Sequence, residues 1–95
     1  MPEMLRRPED VACSEEDGVW YVARVPAGPI HVLRDSAAII WEEAVNQERA
    51  GLPGRVAGHV NCPVAEVRHD VEAFVAQLIE DGLLEVVNRS DPSRP

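Results

Sequence analysis

The sequence contains no lysine, two cysteines, and only two tryptophans, one tyrosine and one phenylalanine. Each shortage excludes something. Without lysine there is no Schiff-base chemistry. With so few aromatic rings, the core must be built from Val, Leu, Ile and Ala. Cys13 and Cys62 are able to pair in principle, but in a reducing cytoplasm they are read as free thiols. No run of about 18 apolar residues occurs, so no transmembrane helix is expected. The opening "MPEMLRRPEDVAC" has two arginines with no apolar stretch behind them, so it does not read as a signal peptide, and the cytoplasm is the expected location. No Ser-His-Asp order and no glycine-rich phosphate loop is visible. "PAGP" and "GLPG" read as turns.

What is present describes one small domain. The chain has 95 residues and is 45% apolar, enough for one compact core. Nine basic residues, all arginine, face seventeen acidic ones, for a net charge of −8. Such a surface repels phosphate backbones and suits a basic or neutral peptide. Both ends are rich in Pro, Ser and charge. Residues 1–7 and 88–95 are read as flexible tails around a domain spanning 8–87. The longest interior loop is expected at "QERAGLPG", residues 47–54.

The first half reads as strands. "VAC" at 11–13 is short and apolar, and "SEEDG" at 14–18 ends in the Asp-Gly pair favoured in hairpins. "VWYVARV" at 19–25 is the clearest strand. Its alternation puts Val19, Tyr21, Ala23 and Val25 on one face and Trp20, Val22 and Arg24 on the other. "PAGP" makes a second turn, and "IHVL" at 30–33 follows. Three strands joined by tight turns form an antiparallel meander.

The second half reads as helices. Ala37, Ile40, Trp41, Ala44 and Val45 recur at helical spacing, with Asp35 or Ser36 supplying the cap oxygen. Gly54 to Val60 forms a short second helix. A third starts at Asn61 or Cys62, with Pro63 in its first turn. Its stripe is Val64, Val67, Val71, Phe74, Val75 and Leu78, and Gly82 stops it. "LLEVV" at 83–87 packs back as an extended segment. The expected fold is therefore α+β and winged helix-turn-helix-like, a three-stranded antiparallel sheet followed by three helices.

Two stretches carry a family resemblance. "LRDSAAIIWEEA" holds Leu33, Asp35, Ser36, Ala37, Ala38, Ile40 and Trp41. "VRHDVEAFVAQLIEDGLL" holds Asp70, Val71, Phe74, Leu78, Gly82, Leu83 and Leu84. In this order, over roughly residues 6 to 87, they resemble the PqqD family, the pyrroloquinoline-quinone biosynthesis protein D group. Arg34 departs from the asparagine often found after the leucine. The resemblance implies a leader-peptide-binding chaperone, the recognition element of ribosomal peptide-modification systems. Such a domain takes up the leader of a precursor peptide as an added strand beside the third strand and against the third helix. It presents the peptide to a modifying enzyme, such as a radical-SAM enzyme, or to a leader peptidase in lasso-peptide clusters. The implied peptide-binding residues are Pro29, Ile30, His31, Val32 and Leu33 with Val64, Val67, Arg68, Val71 and Val75.

The residues themselves agree with that use. The strand at 30–33 is last in the meander and hence an edge with unpaired N–H and C=O groups. No lysine blunts it, and its proline sits at its start, where edges tolerate one. An open edge beside an apolar helix accepts a further strand. Covering loops or a dimer partner are the alternative.

Other chemistry weighs less. His59, Cys62 and His69, with Cys13 or His31, have no second ligand pair at standard zinc spacing, so no metal or cofactor is expected. Trp41 and Phe74 read as core, and Asp70 as a polar partner rather than a base. No enzyme is expected. The rival function is a winged-helix regulator binding nucleic acid. Against it, the third helix holds Arg68 against Glu66, Asp70, Glu72, Glu80 and Asp81, the wrong balance for phosphate contact.

Overall fold

The first strand lies where the sequence suggested a tail. A computed structural model describes residues 3–88. It runs β1 (Glu3–Arg6), β2 (Val11–Glu16), β3 (Val19–Arg24), β4 (Ile30–Leu33), α1 (Ser36–Ala44), β5 (Gln47–Glu48), α2 (Leu52–Val60), α3 (Val64–Glu80) and β6 (Glu85–Asn88). β1 corrects the expected tail at 1–7. Its Leu5 is 0% exposed, and burying that side chain rewards the segment for joining a sheet. β1 is central in the order β5-β1-β6, and Arg6 reaches across to Glu85. The "LLEVV" segment is extended as expected and supplies β6, while residues 89–95 of the expected C-terminal tail lie outside the described residues.

The meander forms a second antiparallel sheet, ordered β2-β3-β4. Its first strand is longer than expected. It runs to Glu16 because only Asp17 and Gly18 make the turn, with φ of 53° and 79°. Two left-handed residues are what a two-residue hairpin loop requires. The Gly18 amide also donates to the Glu15 carboxylate at 2.7 Å. The architecture is therefore α+β, with two three-stranded sheets and three helices.

α1 begins without the expected side-chain cap. Asp35 is the N-cap residue, but at φ 58° its carboxylate makes no cap hydrogen bond. Main-chain carbonyls serve instead: Ala37 N–H donates to Arg34 O at 3.1 Å and Ile39 N–H to Asp35 O at 3.2 Å. The helix buries Ala38, Ile40, Trp41 and Ala44, with Ala37 and Val45 half-buried beside them. Trp41 is 0% exposed and stands 6.5 Å from Trp20, ring centre to ring centre.

The expected loop at 47–54 is largely structured. Gln47–Glu48 is β5, and α2 starts at Leu52 with Pro53 in its first turn. Leu52 and Pro53 are both buried, which moves the helix start earlier than glycine content suggested. Arg55 fastens this corner. Its guanidinium donates to the carbonyls of Glu43 at 2.9 Å and Glu48 at 2.8 Å. It also faces the Glu43 carboxylate at 3.5 Å, and His59 pairs with the same carboxylate at 2.6 Å.

α3 starts at Val64 with Pro63 as N-cap, slightly later than expected. It ends as the sequence indicates. Gly82, at φ 79°, donates to Ile79 O, and Leu83 N–H reaches back to Leu78 O. That bond pair is a Schellman motif. It turns Leu83 and Leu84 into the core, where they join Val71, Val75 and Leu78.

Candidate functional site

β4 ends its sheet, pairing with β3 on one side only. Which of its backbone groups face outward follows from a single hydrogen bond. Val25 N–H donates to Asp10 O at 2.7 Å, one rung beyond the Val11–Arg24 pair. Bonded and unbonded rungs alternate in an antiparallel ladder. So Val19, Tyr21 and Ala23 direct their main-chain groups to β2, and Trp20 and Val22 direct theirs to β4. The hairpin agrees, since a two-residue turn is closed by a bonded rung, here Glu16–Val19. In β4 the partners of Trp20 and Val22 are Leu33 and His31. The N–H and C=O of Ile30 and Val32 therefore point away from the sheet, and the described residues supply them no partner.

Side chains follow the same alternation. His31 is half-buried and Leu33 buried on the inner face, beside Val22 and Trp20. On the outer face Ile30 is 70% exposed, Val32 45% and Tyr21 37%. Val25 joins them beyond the end of β3. The open edge thus borders an exposed apolar face. The sequence placed Tyr21 and Val25 on one face of their strand, but alternation alone did not say that this face is the open one.

The α3 residues expected to complete a groove with β4 are elsewhere. Val64, Arg68, Val71 and Val75 line an open cleft of about 790 Å³, whose other wall is the Arg49–Gly54 segment. Val71 and Val75 form its floor and are 1% exposed, so they belong to the core as well. Val67 is half-buried against the core and is not among the lining residues of that cleft. The cause is the packing of α2 on α3: the segment leading into α2 occupies the side of this flank that the sequence reading left free for β4. Glu3 also reaches this cleft, 3.6 Å from Arg49.

Pro29 and His31 instead line a smaller cleft of about 440 Å³ with Asp10, Arg24 and Asp81. Asp81 caps the C-terminal end of α3, so it is the end of that helix, and not its valine flank, that shares a cleft with β4. Arg24 spans this corner, 3.3 Å from Asp10, with its side chain against Gly82. A Cβ at Gly82 would lie 3.1 Å from the arginine, a second demand for glycine there besides its positive φ.

Among the described residues, no three His, Cys, Asp or Glu side chains are grouped to hold a metal ion. Cys13 and Cys62 are free, and no described helix is long and apolar enough to cross a membrane. What the arrangement offers chemically is a pair of outward main-chain donor–acceptor sites beside apolar side chains. Compared with known proteins, the chain matches no family model, no curated protein and no solved structure.

Proposed function

We propose that this protein is a PqqD-like peptide-recognition domain, a chaperone that takes up the leader of a ribosomally made precursor peptide as a strand added to β4. It presents that peptide to a partner, a radical-SAM or other modifying enzyme or a leader peptidase. The observation that carries the reading is the edge: Ile30 and Val32 offer unpaired main-chain groups outward, next to their own exposed apolar side chains. Soluble proteins ordinarily protect such an edge with charge, bulges or cover. β4 has no acidic or lysine residue along its four positions. Strand addition uses both features, main-chain bonds for affinity and alternate side chains for selection. The resemblance of Leu33–Trp41 and Asp70–Leu84 to the PqqD family points the same way.

Relative to the sequence reading, the structure favours a different helix contact. A strand beside β4 would meet the Asp81 end of α3, close to His31, and not the flank formed by Val64, Arg68, Val71 and Val75. The test is titration of leader peptides, beginning with a precursor encoded beside this protein's gene, read by tryptophan fluorescence. Trp20 is the reporter, because it sits directly across from Leu33. Saturable binding that Val32→Pro weakens supports strand addition, and binding indifferent to that change removes it.

The nucleic-acid regulator makes the opposite electrostatic demand. With a net charge of −8, the protein is expected to pass through heparin at low salt without retention. Firm retention would revive the regulator.

A further inference from the structure

We infer that the segment taken up at β4 carries a carboxylate followed by two apolar residues at alternate positions, in the order acid–polar–apolar–polar–apolar. This rests on the strand-addition reading and specifies its ligand. An added strand bonds to the residues of β4 whose main-chain groups face outward, Ile30 and Val32. Residues directly opposite each other in a ladder point their side chains to the same face. The leader residues that bond Ile30 and Val32 therefore lie on the outer face. There the neighbours are Ile30 itself, 70% exposed, Val32 at 45% and Tyr21 at 37%. Apolar leader side chains remove that surface from water and polar ones do not.

Arg34 supplies the third position. Carrying the alternation one residue past Leu33 puts Arg34 on the same outer face, and it is exposed. Arg6, Arg24, Arg49 and Arg55 have carboxylate partners, and Arg7 donates to Val11 O. Arg34 has no ion pair or side-chain hydrogen bond among the described residues. Its neighbour across the sheet, one rung beyond Trp20–Leu33, is Val19 and not an acid. A leader residue opposite Arg34 thus meets an uncommitted guanidinium, and a carboxylate complements it at this one position, while the net charge of −8 still suits a peptide that is basic or neutral as a whole. The interleaved leader residues turn to the inner side, where the half-buried His31 and the Asp10–Arg24 pair border the small cleft. Polar side chains suit that side.

The order follows from direction. Both β2–β3 and β3–β4 pair antiparallel, and purely antiparallel sheets are over-represented. In an antiparallel addition, the leader residue facing Arg34 comes before those facing Val32 and Ile30.

The test uses ten-residue synthetic peptides with the core Glu-Thr-Ile-Thr-Val, the same core with Lys for Glu, and the reversed core Val-Thr-Ile-Thr-Glu. Affinities are measured against the unaltered protein, Arg34→Glu and Val32→Pro, with thermal melts to show that each variant is folded. The expected result is a preference of the unaltered protein for the Glu core over the Lys core of roughly two- to fivefold, the range of an exposed ion pair. Arg34→Glu should invert that preference, the reversed core should be indifferent to residue 34, and Val32→Pro should weaken every peptide that binds. Peptides that depend on Val32 but show the same Glu-to-Lys ratio with either residue at position 34 overturn this inference and leave strand addition standing. Dependence on residue 34 by the reversed core alone overturns the antiparallel order. Peptides that bind the Val32→Pro variant unchanged, or no binding by any peptide, overturn the inference together with the reading beneath it.

Discussion

On the inner face of the β2–β3–β4 sheet Val11, Val22 and Leu33 are buried, while on the outer face Tyr21, Ile30 and Val32 stay exposed. Both faces draw on the same apolar, largely β-branched residues, because both come from strands with apolar residues at successive positions. The inner face is closed by α1, whose Trp41 lies near Trp20. Among the described residues no helix packs on the outer face to the same end. The contrast teaches that apolar content does not identify a core; the covering element does. On the proposed reading, a face with core-like chemistry, no cover and an open edge is the surface a partner covers.

Substitutions that break this contrast should differ in size by where they fall. The largest effect is expected at Trp41. Trp41→Ala removes a fully buried ring and should destabilise by about 3–5 kcal/mol, a large part of the roughly 5–15 kcal/mol that holds a domain of this kind together. Tyr21→Ala, on the outer face, should change the melting temperature far less. Equal losses at the two sites in thermal denaturation would mean the faces are not distinct.

Next in size is a proline pair along β4. His31→Pro deletes an amide bonded to β3 and leaves a Val22 carbonyl without its donor, a loss of about 1–3 kcal/mol. Val32→Pro deletes an outward amide and should leave the protein folded, with a smaller loss by urea unfolding. The reverse order would show that the register is shifted by one residue, which would turn every side chain of β4 to the other face.

The smallest effect on stability is expected from Ile30→Ser. Its side chain is mostly in water already, so stability should change by no more than about 0.5 kcal/mol. Leader affinity should still fall by roughly fivefold, as an apolar contact of about 1 kcal/mol is lost. A variant equally stable and equally tight-binding would separate the outer face from the binding surface.

These cases show how far the fold is legible from the chain. The Asp17-Gly18 turn, the Val19–Arg24 alternation and the Gly82 stop carry their geometry in local residue chemistry. The third strand, the three helices and the extended segment after Gly82 were all readable for that reason, and so was the position of β4 at the end of the meander. β1 was not readable, because Met4 and Leu5 are a lone apolar pair among charges and prolines, and only the pairing with β5 and β6 gives them a strand. β5 was hidden for a similar reason: two polar residues carry no period. The cap of α1 went astray because Asp35 is the right residue type in the wrong backbone geometry.

The candidate site divides in the same way. Residues 29–33 were expected from the family resemblance together with the edge position of their strand. The α3 flank was expected because the resemblance puts the added strand against the third helix, where Val64, Val67, Val71 and Val75 make an apolar stripe, but such a stripe does not say which neighbour it meets. The neighbour is the Arg49–Gly54 segment and α2, a contact between parts of the chain that only tertiary packing brings together.

The central claim, that β4 is an edge kept open for an added strand, is tested most directly by amide hydrogen exchange at four neighbouring residues. In the free protein, the amides of His31 and Leu33 should exchange slowly and those of Ile30 and Val32 rapidly. Addition of a saturating leader peptide should slow Ile30 and Val32 to the rate of their neighbours. Protection of Ile30 and Val32 before any peptide is added, or none gained when a peptide is bound, would contradict the account.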